Sequence, residues 1–113
     1  MRDNGGMPLV RSGFVTEIQL AEQVESSKRK LSGEVAWIRH AIGEDTAGDP
    51  AIYFRIVLKD SASQEETLAE VTNRVRTTLF KEIRPYEDLG LIPYFSFRSE
   101  SEQASRSEPE WVA

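Results

Sequence analysis

Two stretches of the chain are dense in β-branched and aromatic residues, and each predicts a strand. They span residues 34–42 and 51–59, and the run between them is rich in the glycine, aspartate and proline that favour turns. We therefore expect an antiparallel hairpin with a long, acidic and mobile loop. A third strand is predicted at residues 91–98, where Pro93 indicates an edge position or an irregular start.

Apolar residues at spacings of three and four predict two helices. The first covers residues 16–32, and the second, which carries the stronger stripe, covers residues 63–83. Ser63 and Glu66 have the spacing of a capping box, and Pro85 ends the second helix.

This order, α-β-β-α-β, predicts an α/β (α+β) two-layer sandwich in the ferredoxin-like style, with both helices on one face of the sheet. The single domain covers residues 16–98. Residues 1–15 have no periodicity and predict a flexible N-terminal arm, and residues 99–113 predict a disordered polar tail.

Because side chains alternate across a strand, each strand divides into two sets. The even positions of the second strand are uniformly apolar and predict the core face; with them go Ala36, Ile38, His40 and Ile42 of the first strand. The opposite set includes Val35 and Ala41. It also includes six side chains that we name the open face: Trp37, Arg39, Tyr53, Arg55, Tyr94 and Arg98.

The composition of the open face predicts a surface that binds a partner. Tryptophan, tyrosine and arginine are enriched where proteins bury surface on one another, whereas a face that needs only solvation is served by threonine, lysine or glutamate. Two alternatives stay open. The N-terminal arm or the tail with Trp111 would cover the sheet, or a bulge would invert the alternation in one strand.

Composition narrows the class of partner. The net charge of −5 opposes general attraction to nucleic acid or anionic lipid, so a protein partner or a homodimer is expected and RNA is the alternative on the same face. No apolar run is long enough to span a membrane and no signal peptide is evident, which predicts a cytoplasmic protein. We expect no small-molecule ligand.

Few residues suggest catalysis. His40 falls on the predicted core side, where a lone histidine is usually a hydrogen-bonded structural residue. Glu44, Asp45 and Asp49 lie in the hairpin loop, but their spacing matches no calcium loop. No phosphate-binding loop, dinucleotide-binding pattern or nucleophile elbow is present. We therefore expect no catalytic residue, metal or cofactor, with an enzyme using the acidic loop as a distant alternative.

The order of elements over residues 16–98 resembles two families. The cytoplasmic domain of cation diffusion facilitators has a hairpin strand, a polar cap and a long helix like residues 51–58 and 63–83, and the resemblance implies dimerisation. This sequence lacks the histidines of that family's metal sites. Ribosome-binding factor A, a relative of KH domains, has a similar order, and that resemblance implies contact with ribosomal RNA.

A third resemblance is to short bacterial proteins of unassigned function. It is carried by the runs Gly-Glu-Asp at 43–45, Gly-Asp-Pro-Ala-Ile at 48–52 with Phe-Arg at 54–55, and Pro-Tyr-Phe at 93–95 with Phe-Arg-Ser at 97–99. It implies an accessory protein that acts by binding, encoded beside a larger partner in a toxin-antitoxin or defence operon.

Overall fold

The computed structural model describes residues 13–106, with side chains from residue 17 onward. The rest of the predicted N-terminal arm and residues 107–113, including Trp111, lie outside the described residues.

Four helices and three strands follow one another in the described part. Their bounds are α1 Gly13–Lys30, β1 Val35–Glu44, β2 Pro50–Leu58, α2 Leu68–Ile83, α3 Pro85–Leu89, β3 Ile92–Ser99 and α4 Glu100–Ala104, with a short 3₁₀ turn at Asp60–Ala62 between β2 and α2. Helix α1 thus begins three residues before its predicted start.

The strands form one mixed sheet in the order β1-β2-β3. β1 and β2 are the predicted antiparallel hairpin, and β3 lies parallel to β2 on its other side. The chain must pass through α2 and α3 to bring β3 back in the same direction, as a parallel connection requires. The predicted α+β class, with helices against a sheet, is confirmed.

The core lies between the sheet and the two long helices. The even positions of β2 are almost fully buried, as the alternation predicts. They meet apolar stripes of α1 and α2 in a single cluster, whose main members are Leu20, Val24, Leu31, Ile52, Phe54, Ile56, Leu58, Val71, Val75, Leu79 and Ile83. One layer of helices on one face of the sheet leaves the opposite face uncovered by α1 and α2.

The start of β1 corrects one part of the predicted alternation. Alternation predicts Val35 on the open side, but it is buried in the core, in register with Leu58. The register shifts between Val35 and Trp37, so Ala36 is an extra residue in β1. Such a bulge reverses the facing of the residues before it. From Trp37 onward the predicted facing of β1 is correct.

The start of α2 is also corrected. The helix begins at Leu68 after Thr67, which makes no side-chain cap, so the predicted capping box of Ser63 and Glu66 does not form. The hydroxyl of Ser63 instead donates a hydrogen bond to the Lys59 carbonyl oxygen at 2.9 Å, because residues 60–62 make a separate 3₁₀ turn.

Helix α2 is capped at its C-terminus by Arg84, which adopts a left-handed conformation with φ of 51°. Its backbone N–H still bonds to the Phe80 carbonyl oxygen, and the chain turns directly into α3 through the buried Pro85. A proline suits the first position of a helix because its missing N–H has no partner there.

The polar segment after β3, predicted to be disordered, begins with α4. Ser99 and Glu102 form a capping box at its start, and Asp60 accepts hydrogen bonds from the backbone N–H and hydroxyl of Ser101. These bonds from Ser101 lower the pKa of Asp60. They hold α4 against the turn that follows β2.

Among the described helices, none combines the length and apolar character required to cross a membrane.

Candidate functional site

Register brings the open-face residues of the three strands together. Arg39 of β1 lies directly opposite Arg55 of β2, and Tyr53 of β2 lies opposite Tyr94 of β3. Trp37 is two residues before Arg39 on the same side of β1. The sheet therefore carries an arginine pair in its middle and a tyrosine pair toward the hairpin.

The two tyrosines of the open face stack on each other, and both hydroxyls are hydrogen-bonded to the end of the hairpin. The rings of Tyr53 and Tyr94 stack with centroids 5.4 Å apart and planes 19° apart. The hydroxyl of Tyr53 donates to the Glu44 carbonyl oxygen at 2.8 Å, and that of Tyr94 donates to Asp45 Oδ2 at 2.8 Å. Both polar groups of this end thus have partners inside the chain.

Asp45 organises the hairpin loop. Its Oδ1 accepts hydrogen bonds from the backbone N–H groups of Asp49 at 2.9 Å and Ala47 at 3.0 Å. These bonds, led by that from Asp49 and followed by that from Tyr94, lower the pKa of Asp45. The loop that the sequence predicts to be mobile is thus tied to itself and to β3.

The same contact acts on Tyr94 in the opposite direction. Its hydrogen bond to the Asp45 carboxylate raises the pKa of the Tyr94 phenol, because the bond requires the proton that ionisation would remove.

The arginine pair differs from the tyrosine pair, because its polar groups lack such partners within the described residues. The Arg39 guanidinium lies over the Trp37 ring, 5.3 Å from its centroid, and that of Arg55 lies 5.8 Å from the centroid of Tyr53. Within residues 17–106 neither Arg39 nor Arg55 forms an ion pair. The Nε of Arg39 is buried and has no hydrogen-bond partner there. Like charges directly opposite each other on a sheet are destabilising. Binding of an anion would reduce the repulsion between Arg39 and Arg55.

Other cationic side chains of the described residues form ion pairs with carboxylates. Arg74 of α2 holds Glu34 through two bonds, Nε to Oε1 at 3.1 Å and Nη2 to Oε2 at 2.9 Å. Lys30 is paired with Glu82, and Arg84 with Asp88. Within the described residues, the lack of a carboxylate partner is thus a feature of the Arg39–Arg55 pair and not of the cationic side chains in general.

Arg98 is the one predicted site residue that lies buried, with 8% of its surface exposed. It faces the open side in register with Val57, which is itself buried and stands opposite Trp37 on the other strand. Nη1 of Arg98 donates to Gln103 Oε1 of α4 at 3.1 Å. Arg98 is thus engaged by its own chain, and the accessible part of the open face is formed by Trp37, Arg39, Tyr53, Arg55 and Tyr94.

The histidine considered as a catalyst lies away from this face. His40 lies on the helical side, with Nε2 3.3 Å from Glu17 Oε1 of α1, which is a structural link. Within the described residues, no three carboxylates or histidines are grouped so as to hold a metal ion.

Sequence reasoning missed two members of the site. The sequence suggests Asp45 only as a metal ligand or catalyst if its charge alone is weighed, but aspartate before Thr-Ala-Gly is also a common turn residue whose side chain bonds to backbone N–H groups two or more residues ahead. Gln103 gave no signal, because nothing in the polar run after residue 99 marks which side chain turns back to β3.

Comparison of the chain with protein-family models, curated proteins and solved structures finds no significant match in any of the three.

Proposed function

We propose that the chain is a small non-catalytic association module whose open face binds an acidic segment of a protein partner. The observation that carries the proposal is the Arg39–Arg55 pair, which is held in register across the sheet and meets no carboxylate among the described residues.

Fixed arginines without counter-ions are suited to binding a carboxylate. A hydrogen bond to a charged group contributes about 1.5–3 kcal/mol, roughly twice the value of a neutral one. The strands hold Arg39 and Arg55 in place, and ring contacts with Trp37 and Tyr53 orient their guanidinium groups. Less side-chain freedom is then lost on binding. The two side chains lean toward opposite ends of the strands, Arg39 toward Trp37 and Arg55 toward Tyr53. An aspartate or glutamate of the partner on either guanidinium group would supply the opposite charge that both lack among the described residues.

The neighbouring aromatics supply the rest of a binding surface. Tyr94 keeps 40% of its surface exposed at the end of the face nearest the hairpin, and Trp37 is half-buried at the other end. Aromatic and arginine side chains grouped in this way are typical of the residues that dominate binding energy in protein interfaces.

RNA on the same face is the second possibility, and the geometry favours it less. Bases bind sheet platforms by stacking on exposed ring faces. Here Tyr53 is stacked on Tyr94 and contacted by Arg55, and Trp37 lies beneath Arg39. The Asp45 carboxylate stands at the Tyr94 hydroxyl, where a phosphate would be repelled.

An enzyme using the acidic loop gains no support from the contacts. Asp45 already accepts three hydrogen bonds within its own chain, so its carboxylate serves the fold of the hairpin.

The setting that we propose is an accessory subunit of a larger partner in the bacterial cytoplasm.

A displayed library of random peptides tests the proposal with the full chain as bait. We expect selected peptides to share an acidic residue next to an apolar or aromatic one. Replacing Arg39 and Arg55 together by glutamine should weaken binding of a selected peptide by at least about tenfold, from the loss of charge-assisted bonds.

Arg74→Gln, compared with each of the single open-face variants, is the matched control, because it removes one positive charge from α2 and leaves the open face intact. Peptides without acidic residues, or equal weakening by Arg74→Gln and the open-face double variant, would contradict the proposal. Single-stranded oligonucleotides form a parallel arm: binding that is lost in a Tyr94→Ala variant and suppressed by salt would favour RNA instead.

A further inference from the structure

The outer edge of β3 carries backbone groups that are directed away from the sheet. The N–H of Ser99 bonds to Glu102 Oε1 of α4 at 2.9 Å, so it does not point toward β2. Backbone groups alternate in direction along a strand. The N–H groups of Phe97 and Phe95 therefore point outward as well, and Pro93, next in this series, has no N–H to leave unpaired.

The side chains beside this edge are apolar and partly exposed. Phe80 of α2 keeps 45% of its surface exposed, and its ring centroid lies 5.4 Å from that of Phe95. Phe95 in turn stacks on the buried Phe54, with centroids 5.4 Å apart. Phe97 follows along the strand with the Arg76 guanidinium 5.2 Å from its ring centroid. An apolar row thus reaches from the core to the surface along the β3 edge.

The two edges of the sheet differ in their protection. Exposed edges are usually blunted by bulges or charges, which prevent pairing with another chain. β1 has the bulge at Ala36, the His40–Glu17 link and Glu44 at its end. β3 has no charged residue from Ile92 to Phe97, and Pro93 near its start is the one residue there that blunts the edge. The less protected edge is therefore the one that adjoins the exposed Phe80.

We propose that the chain forms a homodimer by antiparallel pairing of β3 with β3 of a second copy, around a two-fold axis at Phe95. This inference goes beyond the proposed function, because it uses another surface and does not depend on a partner at the open face.

The sequence of β3 is its own complement in this register. Phe95 N–H of each copy donates to the Phe95 carbonyl oxygen of the other, and Phe97 N–H donates to the Pro93 carbonyl oxygen, so both outward donors of each copy are satisfied. Pro93 has no N–H to donate to the Phe97 carbonyl oxygen of the other copy. That carbonyl is therefore the one outward group of the pair that bonds to water. Side chains on the helical side then pair Phe95 with Phe95 and Phe97 with Pro93, and the two Phe80 rings lie close by.

No like charges meet in this register. On the open side Tyr94 of one copy lies beside Ser96 of the other, and both are neutral. Each three-stranded sheet would continue into the other, and the two open faces would lie side by side on the same surface. A partner with two acidic segments would then bind both copies at once.

Sedimentation of the full chain over a range of concentrations tests the dimer. We expect a reversible monomer–dimer equilibrium, and Phe80→Glu should weaken it by at least about tenfold by placing two like charges near the two-fold axis. Ile42→Glu is the matched control. Ile42 is 43% exposed on β1, so the change has the same chemistry at similar exposure on the other edge of the sheet.

Hydrogen exchange gives a second readout that does not depend on any variant. In the dimer the amides of Phe95 and Phe97 should gain protection as the protein concentration rises. A monomer at all concentrations would overturn the proposal, whether those amides exchange freely or are covered by the chain's own ends. A dimer that is lost in Ile42→Glu but kept in Phe80→Glu would overturn it equally.

Discussion

The hairpin end and the middle of the open face differ in how their polar groups are satisfied. At the hairpin end, the hydroxyls of Tyr53 and Tyr94 and the carboxylate of Asp45 all bond within the chain. In the middle, Arg39 and Arg55 face each other without a carboxylate among the described residues.

The difference separates residues that maintain the fold from residues that have a use outside it. Polar groups that are bonded internally stabilise the hairpin and have little left to offer a partner. Two cations held opposite each other cost stability, and such a cost is usually kept where it serves function.

Removing Asp45 should have the largest effect on stability. Asp45→Ala deletes the acceptor of the Ala47 and Asp49 N–H groups and of the Tyr94 hydroxyl, so we expect the melting temperature to fall by several degrees. Thermal unfolding followed by circular dichroism measures it. Asp49→Ala is the control, since it alters the same loop but removes none of these three bonds. Equal losses in both variants would show that the hairpin end is not held by Asp45.

Acid should release the same contact. The pKa of Asp45 is lowered in the folded chain, so its contribution to stability is present above its unfolded value, about 3.9, and is lost as the pH falls through the folded value. We expect the difference in melting temperature between the wild type and Asp45→Asn to shrink below about pH 4. A difference that stays constant down to strongly acidic pH would contradict the assignment.

The arginine pair should show repulsion in a double-mutant cycle. Glutamine replacements of Arg39 and Arg55, singly and together, should give an unfavourable coupling of about 0.2–1 kcal/mol that decreases with added salt. Urea unfolding provides the free energies. The same cycle on Arg74 and Glu34 should give a favourable coupling of similar size. A favourable coupling between Arg39 and Arg55 would mean that the two ends of the face do not differ.

The smallest effect is expected in the titration of Tyr94. Its pKa is raised by the Asp45 carboxylate, so it should fall toward the ordinary tyrosine value in Asp45→Asn. The phenolate absorbance of each protein, minus that of its Tyr94→Phe counterpart, isolates this group. No change on replacing Asp45 would indicate that the bond between them is not formed in solution.

The alternation in β2 was predictable because one physical cause dominates it. Ile52, Phe54, Ile56 and Leu58 face a layer of helices, and nothing but apolar side chains fits there. Alternation in the neighbouring strands assigned Arg39, Arg55, Tyr53 and Tyr94 to the same face correctly, but it did not predict the register that pairs Arg39 with Arg55 and Tyr53 with Tyr94.

The facing of Val35 could not be predicted, because a bulge depends on where the strand meets its neighbour and not on its own composition. The failure of the predicted capping box has a similar origin. Ser63 and Glu66 have the correct spacing, but residues 60–62 form a turn first. Ser99 and Glu102 have the same spacing where β3 ends, meet no competing turn and form a box that was not predicted.

The burial of Arg98 shows the limit for the candidate site. The alternation of side chains along β3 predicts that Arg98 faces the open side, and it does. Its exposure depends instead on α4 and on Gln103, which lies four positions beyond the last residue of β3. The spacing of Ser99 and Glu102 marks the start of α4 in the sequence, but nothing there marks which of its side chains returns to β3. A site residue can therefore be assigned to a face by alternation, while its exposure is decided by the segments that return to it.

The parallel pairing of β2 with β3 has a consequence for how the chain folds. β1 and β2 meet across a five-residue turn and can pair within microseconds, but β3 must wait until the connection through α2 and α3 has closed. We expect β3 to join last and to separate first in partial unfolding, so that Tyr94 leaves the surface while Arg39 and Arg55 remain together. The nascent hairpin would then present its two arginines before the domain is complete.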